Sequence, residues 1–350
     1  MKLPTLLSKW FSSNSTLVLL VATLVVISLV TGLFAGTLLN RIITVLFVNL
    51  ILVVGLQIFM GNSGVLSFAH IGFMGIGAYA SVLFSLTPQA KAATLPDLYP
   101  FLAHVHLPFL VSLLIGGLIA ALVAAVFGYP LMRLSEAAGA ITMFAFLVII
   151  HVVLVHWSTV TNGPRTLFGV DHFTFLWNST VFGLLAVFIG YWFKESNLGL
   201  MLRASRDDRH AAASVGVNMI VVRWIAFTIS AFLAGFAGGL WAHFITSFSP
   251  NSFYLTTTFT ILTMLVVGGP GSISGAVFGT VVVTLVYEGL RGIESYVNLS
   301  NLLPFALVGF TEVFMSAALI IILILRPSGI MGGKEITWSK KQDDKLNEGA

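Results

Sequence analysis

Few side chains in this chain are equipped for chemistry, and most of those that are gather in one place. Charged residues make up 9% of the 350 residues. Yet Arg203, Arg206, Asp207, Asp208 and Arg209 lie close together in a single polar stretch. Arg203, Arg206 and Arg209 recur at every third residue, which places them on one side of a helix. Ala211-Ala212-Ala213 follows with high helix propensity, and Gly216 and Asn218 supply a stop. A short charged helix ending in small residues suits insertion into a cleft on a partner protein in water. The plainer reading is a positive loop that only sets membrane orientation.

No enzyme constellation emerges elsewhere. The histidines at 70, 104, 106, 151, 156, 172, 210 and 243 are scattered. His104 and His106 have no carboxylates near them to complete a metal site. His151 and His156 are badly spaced for one helix face and read as polar groups turned toward a bundle interior. The string Gly332-Gly333-Lys334-Glu335 lacks the upstream glycine and the Ser/Thr of a phosphate-binding loop. ATP hydrolysis, catalysis, a cofactor and a metal are therefore not expected on this chain, and nothing points to nucleic acid. The chain has no cysteine, which excludes disulfides and thiolate metal sites. Carboxylates near apolar stretches reduce to Glu136, Glu288, Glu294 and Glu312, too few for the relays that proton-coupled carriers use.

The elements that hold these residues are membrane helices. Hydrophobic residues make up 57% of the chain and mean hydropathy is +1.00, values of a polytopic membrane protein. Apolar runs repeatedly reach the roughly 20 residues that span a bilayer as a helix, without the alternation of a β-barrel. The fold class is all-α, with about ten spans. They are expected near Thr16–Ala35, Leu39–Met60, Val65–Leu86, Pro108–Leu131, Ala138–His156, Thr180–Phe193, Trp224–Ile245, Leu255–Val267, Ala276–Leu290 and Leu303–Leu325. The eighth is short enough to be re-entrant or broken. The first run is long and lacks a small-residue cleavage site, so it reads as a retained helix.

With the N-terminus inside and ten alternating spans, thirteen Lys and Arg fall inside and four outside. That asymmetry puts both termini in the cytoplasm, together with the 195–222 segment. The outer segments Thr87–Leu107 and Ser158–Asn178 are long enough to receive a partner. Residues 1–333 form the membrane domain, and the charged 334–350 tail has the composition of a disordered segment.

Glycines mark the remaining candidates. Gly72, Gly75 and Gly77 run along one span with Ala69 and Ala78, a pattern that serves close helix packing. The breaks at Ser63-Gly64 and Gly268–Gly271 differ, because helix-breaking backbone at membrane depth must be buried or line a cavity. The candidate pathway or hinge set is Gly64, Ser67, His70, Gly72, Gly75, Gly268, Gly269, Gly271 and Ser272. The candidate coupling set is Arg203, Arg206, Asp207, Asp208, Arg209, Ala212 and Gly216.

Five segments in order resemble one known family. They are Gly61-Asn62-Ser63-Gly64-Val65-Leu66-Ser67-Phe68-Ala69-His70 with Phe73 and Gly75-Ile76-Gly77-Ala78-Tyr79, then Arg203 through Ala212 with Gly216-Val217-Asn218. Phe227-Thr228-Ile229-Ser230-Ala231 with Gly235, Gly238 and Gly239 follows. Gly268-Gly269-Pro270-Gly271-Ser272-Ile273-Ser274-Gly275 and Arg326-Pro327-Ser328-Gly329-Ile330 complete the set. Together they are similar to the permease subunit of branched-chain amino-acid ABC importers, and within it to the member with the longer N-terminal region. The likeness runs over about residues 40–333. It departs at Ser135–Gly139, at Leu147–His151 and at Thr161–Arg165.

The resemblance implies a multi-pass subunit of the bacterial cytoplasmic (inner) membrane in a heterodimer with a second, related permease. It also implies two cytoplasmic ATPase subunits carrying ATP and Mg, and an extracytoplasmic substrate-binding protein. The implied cargo is a branched-chain or other hydrophobic amino acid, with urea, short amides and small aromatic acids as rivals. A stand-alone carrier or channel is the alternative from a different class, and it would need no docking helix. A membrane-embedded enzyme is disfavoured by the missing catalytic cluster.

Overall fold

The computed structural model describes residues 15–300, 307–326 and 328–336. Lys2, Lys9, the start of the expected tenth span at 303–306, Pro327 and residues 337–350 of the expected tail lie outside them. Among the described residues every regular element is helical, apart from an antiparallel bridge between Leu167 and Phe248.

Eight helical stretches are long and apolar enough to cross a membrane. They are α1 (Ser15–Phe34), α2 (Thr37–Leu56, continued by a π turn at Gln57–Gly61), α6 (Phe109–Leu131), α7 (Glu136–His156), α9 (Leu176–Glu195), α12 (Met219–Ile245), α13 (Leu255–Gly268, preceded by a 3-10 turn at Pro250–Phe253) and α14 (Ile273–Leu299). Two apolar helices are shorter, α3 (His70–Ser85) and α15 (Phe310–Leu325), each of 16 residues. The small helices α4 (Pro88–Thr94), α5 (Pro100–Ala103) and α8 (Ser158–Thr161) occupy one end of the bundle, and α10 (Asn197–Asp207) with α11 (Arg209–Ser214) occupies the other.

The third span was expected from Val65, but helix begins only at His70. Gly64 is left-handed, with φ of 73°, and the chain then runs irregularly to Phe68. The Ser67 hydroxyl bonds His70 Nδ1 at 2.8 Å, so the side chains hold the irregular run against the helix start. The ninth span, expected to end at Leu290, continues to Leu299.

The centre of the fold is α12, packed on α3 and α6. Small residues make this contact possible, because they let helix backbones meet. A Cβ on Gly238 would overlap the Met74 carbonyl, and one on Gly77 would overlap the backbone of Gly235. Phe59, Phe73 and Phe227 fill the space beside this contact and are fully buried. A second apolar cluster joins Leu17, Leu20 and Leu24 of α1 to Phe47 and Leu50 of α2 and Val187 of α9. There the Ser28 and Thr180 hydroxyls bond each other at 2.8 Å.

The loop over α4 and α5 is tied down by one cation. Lys91 is buried, and its ammonium donates to the carbonyls of Leu102 and Val105. Burial pushes that ammonium below its ordinary range.

Candidate functional site

The sequence candidates divide into a group that converges at one end of the bundle and a group that does not. The converging group is built on the two backbone breaks. The π turn at Gln57–Gly61 ends α2, and Asn62 folds back so that its amide donates to the carbonyls of Ile58 at 3.0 Å and Gln57 at 3.3 Å. The second break separates α13 from α14. Gly269 has φ of 115°, a conformation that side-chain-bearing residues rarely adopt. Ser272 caps α14, its hydroxyl accepting from the Gly275 N–H at 3.0 Å.

The two breaks touch. A Cβ on Gly61 would overlap the Pro270 carbonyl oxygen, and the Gln57 amide donates to the same oxygen at 3.4 Å. Gly268 lies so close to Gly275 and Gly279 that a Cβ there would overlap the Gly275 carbonyl. Gly271 lies against Gly333.

The charged island reaches this junction. Arg206 donates from its guanidinium to the Gly61 carbonyl at 2.8 Å. Its stem lies over Gly64, where a Cβ would stand 2.8 Å from it. Arg209 pairs with Glu136 of α7 at 2.8 Å, and the buried Arg223 approaches the same carboxylate at 3.5 Å. Two of the three cations expected to face a partner therefore bind this chain instead. Arg203 is half-buried, and one of its guanidinium nitrogens is buried without a partner.

The island is also not one helix. It breaks at Asp208, whose carboxylate accepts from the His210 N–H at 2.8 Å and the Ala211 N–H at 3.0 Å and so caps α11. Those amides, Ala211 first, hold the Asp208 carboxyl below the usual carboxylate range. At the far end the Gly216 N–H bonds the Ala213 carbonyl and the Val217 N–H bonds the Ala212 carbonyl, the paired bonds of a Schellman stop. Gly216 is left-handed there, with φ of 85°. Ala212 is buried beneath the elbow, whereas Ala204, Asp207, Ala211, Ala213 and Val215 are exposed.

A residue that composition assigns to the charged tail joins the same end. Glu335 accepts from the Ile273 N–H at 2.9 Å and the Ser274 N–H at 3.0 Å, at the first turn of α14. It also binds the Ser274 hydroxyl and the Lys194 ammonium. Burial alone would raise its carboxyl, but Lys194 and the Ser274 donors outweigh that and hold it below its ordinary value. Just before it, the Ile330 and Met331 N–H groups bond the carbonyls of Val267 and Gly268. Residues 328–336 thus clasp the second break. Glu335 carries no local signal in the sequence, because its partners lie about sixty and more than a hundred positions away.

The other candidates sit elsewhere. His70 is fully buried among Phe59, Phe73 and Phe227, with Ser67 on one ring nitrogen and Ser230 on the other, each at 2.8 Å. It ties α3 to α12. Gly72 packs against Ile150 of α7, and Gly75 against Leu154 and Phe253. Of the two α7 histidines, His151 stacks on Tyr254 at 4.1 Å, whereas His156 is exposed rather than turned inward. Among the described residues no group of His, Asp or Glu is arranged to hold a metal ion.

The chain matches the family model described as "Branched-chain amino acid transport system / permease component" over residues 38–323. It is 26% identical over 324 residues to the high-affinity branched-chain amino acid transport system permease protein LivM of Escherichia coli (strain K12), covering 83% of this chain and 69% of that protein. It is 29% identical over 161 residues to the permease protein LivH of the same kind of system in Salmonella typhimurium, covering 46% of this chain and 47% of that protein. It is also 26% identical over 206 residues to the nucleoside ABC transporter permease protein NupC of Lactococcus lactis subsp. cremoris, covering 54% and 62%. No solved structure matches the chain.

Proposed function

The chain belongs to the branched-chain amino acid transport system permease family, and from that premise we propose that it is the membrane subunit of an ATP-driven importer paired with a second, related permease. In this reading all ten apolar helices cross the bacterial cytoplasmic (inner) membrane and both chain ends are cytoplasmic. Two ATPase subunits, which bind ATP and Mg, sit below the permease pair, and one of them docks on the α10–α11 elbow. A binding protein delivers a branched-chain or other hydrophobic amino acid to the opposite end. Nucleosides and other small polar solutes are rival cargoes within the class, given the name of the Lactococcus relative.

The observation that carries the reading is the build of the elbow. A loop that only sets topology needs positive charge and nothing more. This one bonds Arg206 and Arg209 to its own chain and leaves Ala204, Ala211, Ala213 and Val215 exposed beside Asp207, Asp208 and His210, with Val215 77% exposed. Such a knob fits a cleft on a partner. It also has a rigid path inward. A push on the elbow moves Arg206, hence the Gly61 carbonyl, and Gly61 has no clearance from Pro270. Both breaks then respond together, which is how a local docking event is passed to packed elements with two arrangements. A stand-alone carrier or channel has no use for this knob.

The test is mass spectrometry of what co-purifies with the gently extracted chain, wild type against Ala211→Asp/Val215→Asp. Wild type is expected to bring two ATPases and a second permease, and the variant to recover less ATPase while keeping the second permease. Recovery of the chain by itself under several mild detergents, or ATPases retained by the variant with normal uptake, would overturn the proposal.

A further inference from the structure

Opposite the elbow, α13 and α15 enclose a groove of about 150 Å³ lined by Thr256, Phe259, Thr260, Thr263, Glu312 and Met315 among others. We infer that this groove holds the primary ammonium group of the cargo as it enters. The inference rests on the importer reading for what the cargo is, but not for what the groove recognises.

The chemistry of the lining selects the ligand. Thr256, Thr260 and Thr263 stand at i, i+4 and i+7, on one face of α13. The Thr260 hydroxyl already donates to the Thr256 carbonyl at 2.9 Å, and the Thr263 hydroxyl to the Phe259 carbonyl at 2.7 Å. What these two hydroxyls offer the groove is therefore lone pairs. Glu312 adds a carboxylate, which only accepts.

Glu312 is not needed by its own helix. The start of α15 is served by Glu294, which accepts from the Gly309 N–H and the Thr311 N–H, each at 3.1 Å, and from the Thr311 hydroxyl at 2.7 Å. None of the four ion pairs among the described residues uses Glu312. A groove rich in acceptors suits a group that only donates. A primary ammonium has three N–H donors and a compact charge. Phe259 and Met315 supply an apolar wall for the hydrocarbon attached to it, and the Phe259 ring face favours a cation. A single water needs roughly 10–15 Å³ of such space, so the groove has room for a head group and its first carbons.

The experiment uses the absence of cysteine from the chain. Ser316, which also lines the groove, is replaced as Ser316→Cys in the assembled transporter. The complex is reconstituted in phosphatidylcholine–phosphatidylglycerol vesicles, whose headgroups carry no primary amine. Labelling of the new thiol by N-ethylmaleimide is followed on this chain by mass spectrometry. Saturating leucine and isoamylamine are each expected to slow labelling about tenfold or more, and 4-methylpentanoate, which lacks the amine, is not. Glu312→Gln should abolish the protection, and Glu312→Asp should keep part of it.

Protection that survives Glu312→Gln, or equal protection by 4-methylpentanoate, would overturn the inference. So would leucine uptake by a transporter that shows no protection. Protection by isoamylamine in a transporter that moves no leucine would support the groove and overturn the amino-acid reading alone.

Discussion

Arg206 is where the difference between a docking residue and a bracing residue can be measured. Its guanidinium is bonded to the Gly61 carbonyl, and its stem covers the left-handed Gly64. Arg206→Ala removes a charge-assisted hydrogen bond, worth about 1 kcal/mol for a partly exposed partner. The isolated, detergent-extracted chain should therefore melt at a lower temperature, and uptake should fall as well. A residue that only touched an ATPase would leave the melting temperature unmoved, so an unshifted midpoint refutes the brace. Glu335 gives a pH signature. Its folded carboxyl lies below the ordinary value of 4.5, so the folded chain holds fewer protons there than the unfolded chain. The stabilisation is complete above about pH 4.5 and fades as pH falls through and below that value. Thermal midpoints measured between pH 7 and 3 should drop less steeply in Glu335→Gln than in wild type. The variant should also start lower at pH 7. Parallel curves would mean that Glu335 does not hold the clasp.

At the scale of elements, stability resides in contacts that admit no side chain. Met74 of α3 and Gly238 of α12 meet backbone to backbone, and a valine there must drive the two helices apart. Gly238→Val should cost more than about 3 kcal/mol, the upper part of the range for overpacking, and the chain should fail to accumulate in membranes. Normal accumulation would show that α12 can slide. Gly216→Ala, by contrast, meets open space and strains only a left-handed turn, so it should cost about 1 kcal/mol and leave assembly intact. The same contacts explain what could be read in advance. Apolar runs and flanking glycines located the long helices, because span length and packing are local properties of a segment. The start of α3 could not be read, because it depends on Ser67 and His70 agreeing with a left-handed Gly64. The break at Asp208 was hidden for a related reason. Its triple-spaced arginines suit a continuous helix, and only the capping bonds to His210 and Ala211 decide otherwise. Of the candidate site, the two glycine breaks were visible as breaks. That they touch, and that Arg206 and Glu335 reach their neighbourhood, is a long-range fact that no local pattern carries.

The whole molecule presents two unlike faces along its length. On α6 the exposed positions Leu114, Leu118, Leu122 and Val126 are apolar throughout, as are Val181, Leu185 and Phe188 of α9. Hydrocarbon satisfies such surfaces. Across α13 and α15 the exposed positions mix Phe259, Val313 and Phe314 with Thr256, Glu312 and Ser316, and lipid does not solvate a carboxylate or spare hydroxyls. A face of that composition at membrane depth belongs against protein or water. A second permease laid across it would enclose the groove and leave the α6 and α9 faces to lipid. This makes opposite demands on bulk at the two faces. Leu118→Trp and Leu122→Trp should be accepted with normal recovery of the second permease, since a large apolar ring suits lipid. Thr256→Trp and Ser316→Trp should still insert and fold, because neither position is buried in this chain, but should lose the second permease on extraction. If the two α6 variants lose it and the α13 and α15 variants keep it, the pairing face is on the other side of the molecule, and the groove opens to something other than a shared pathway.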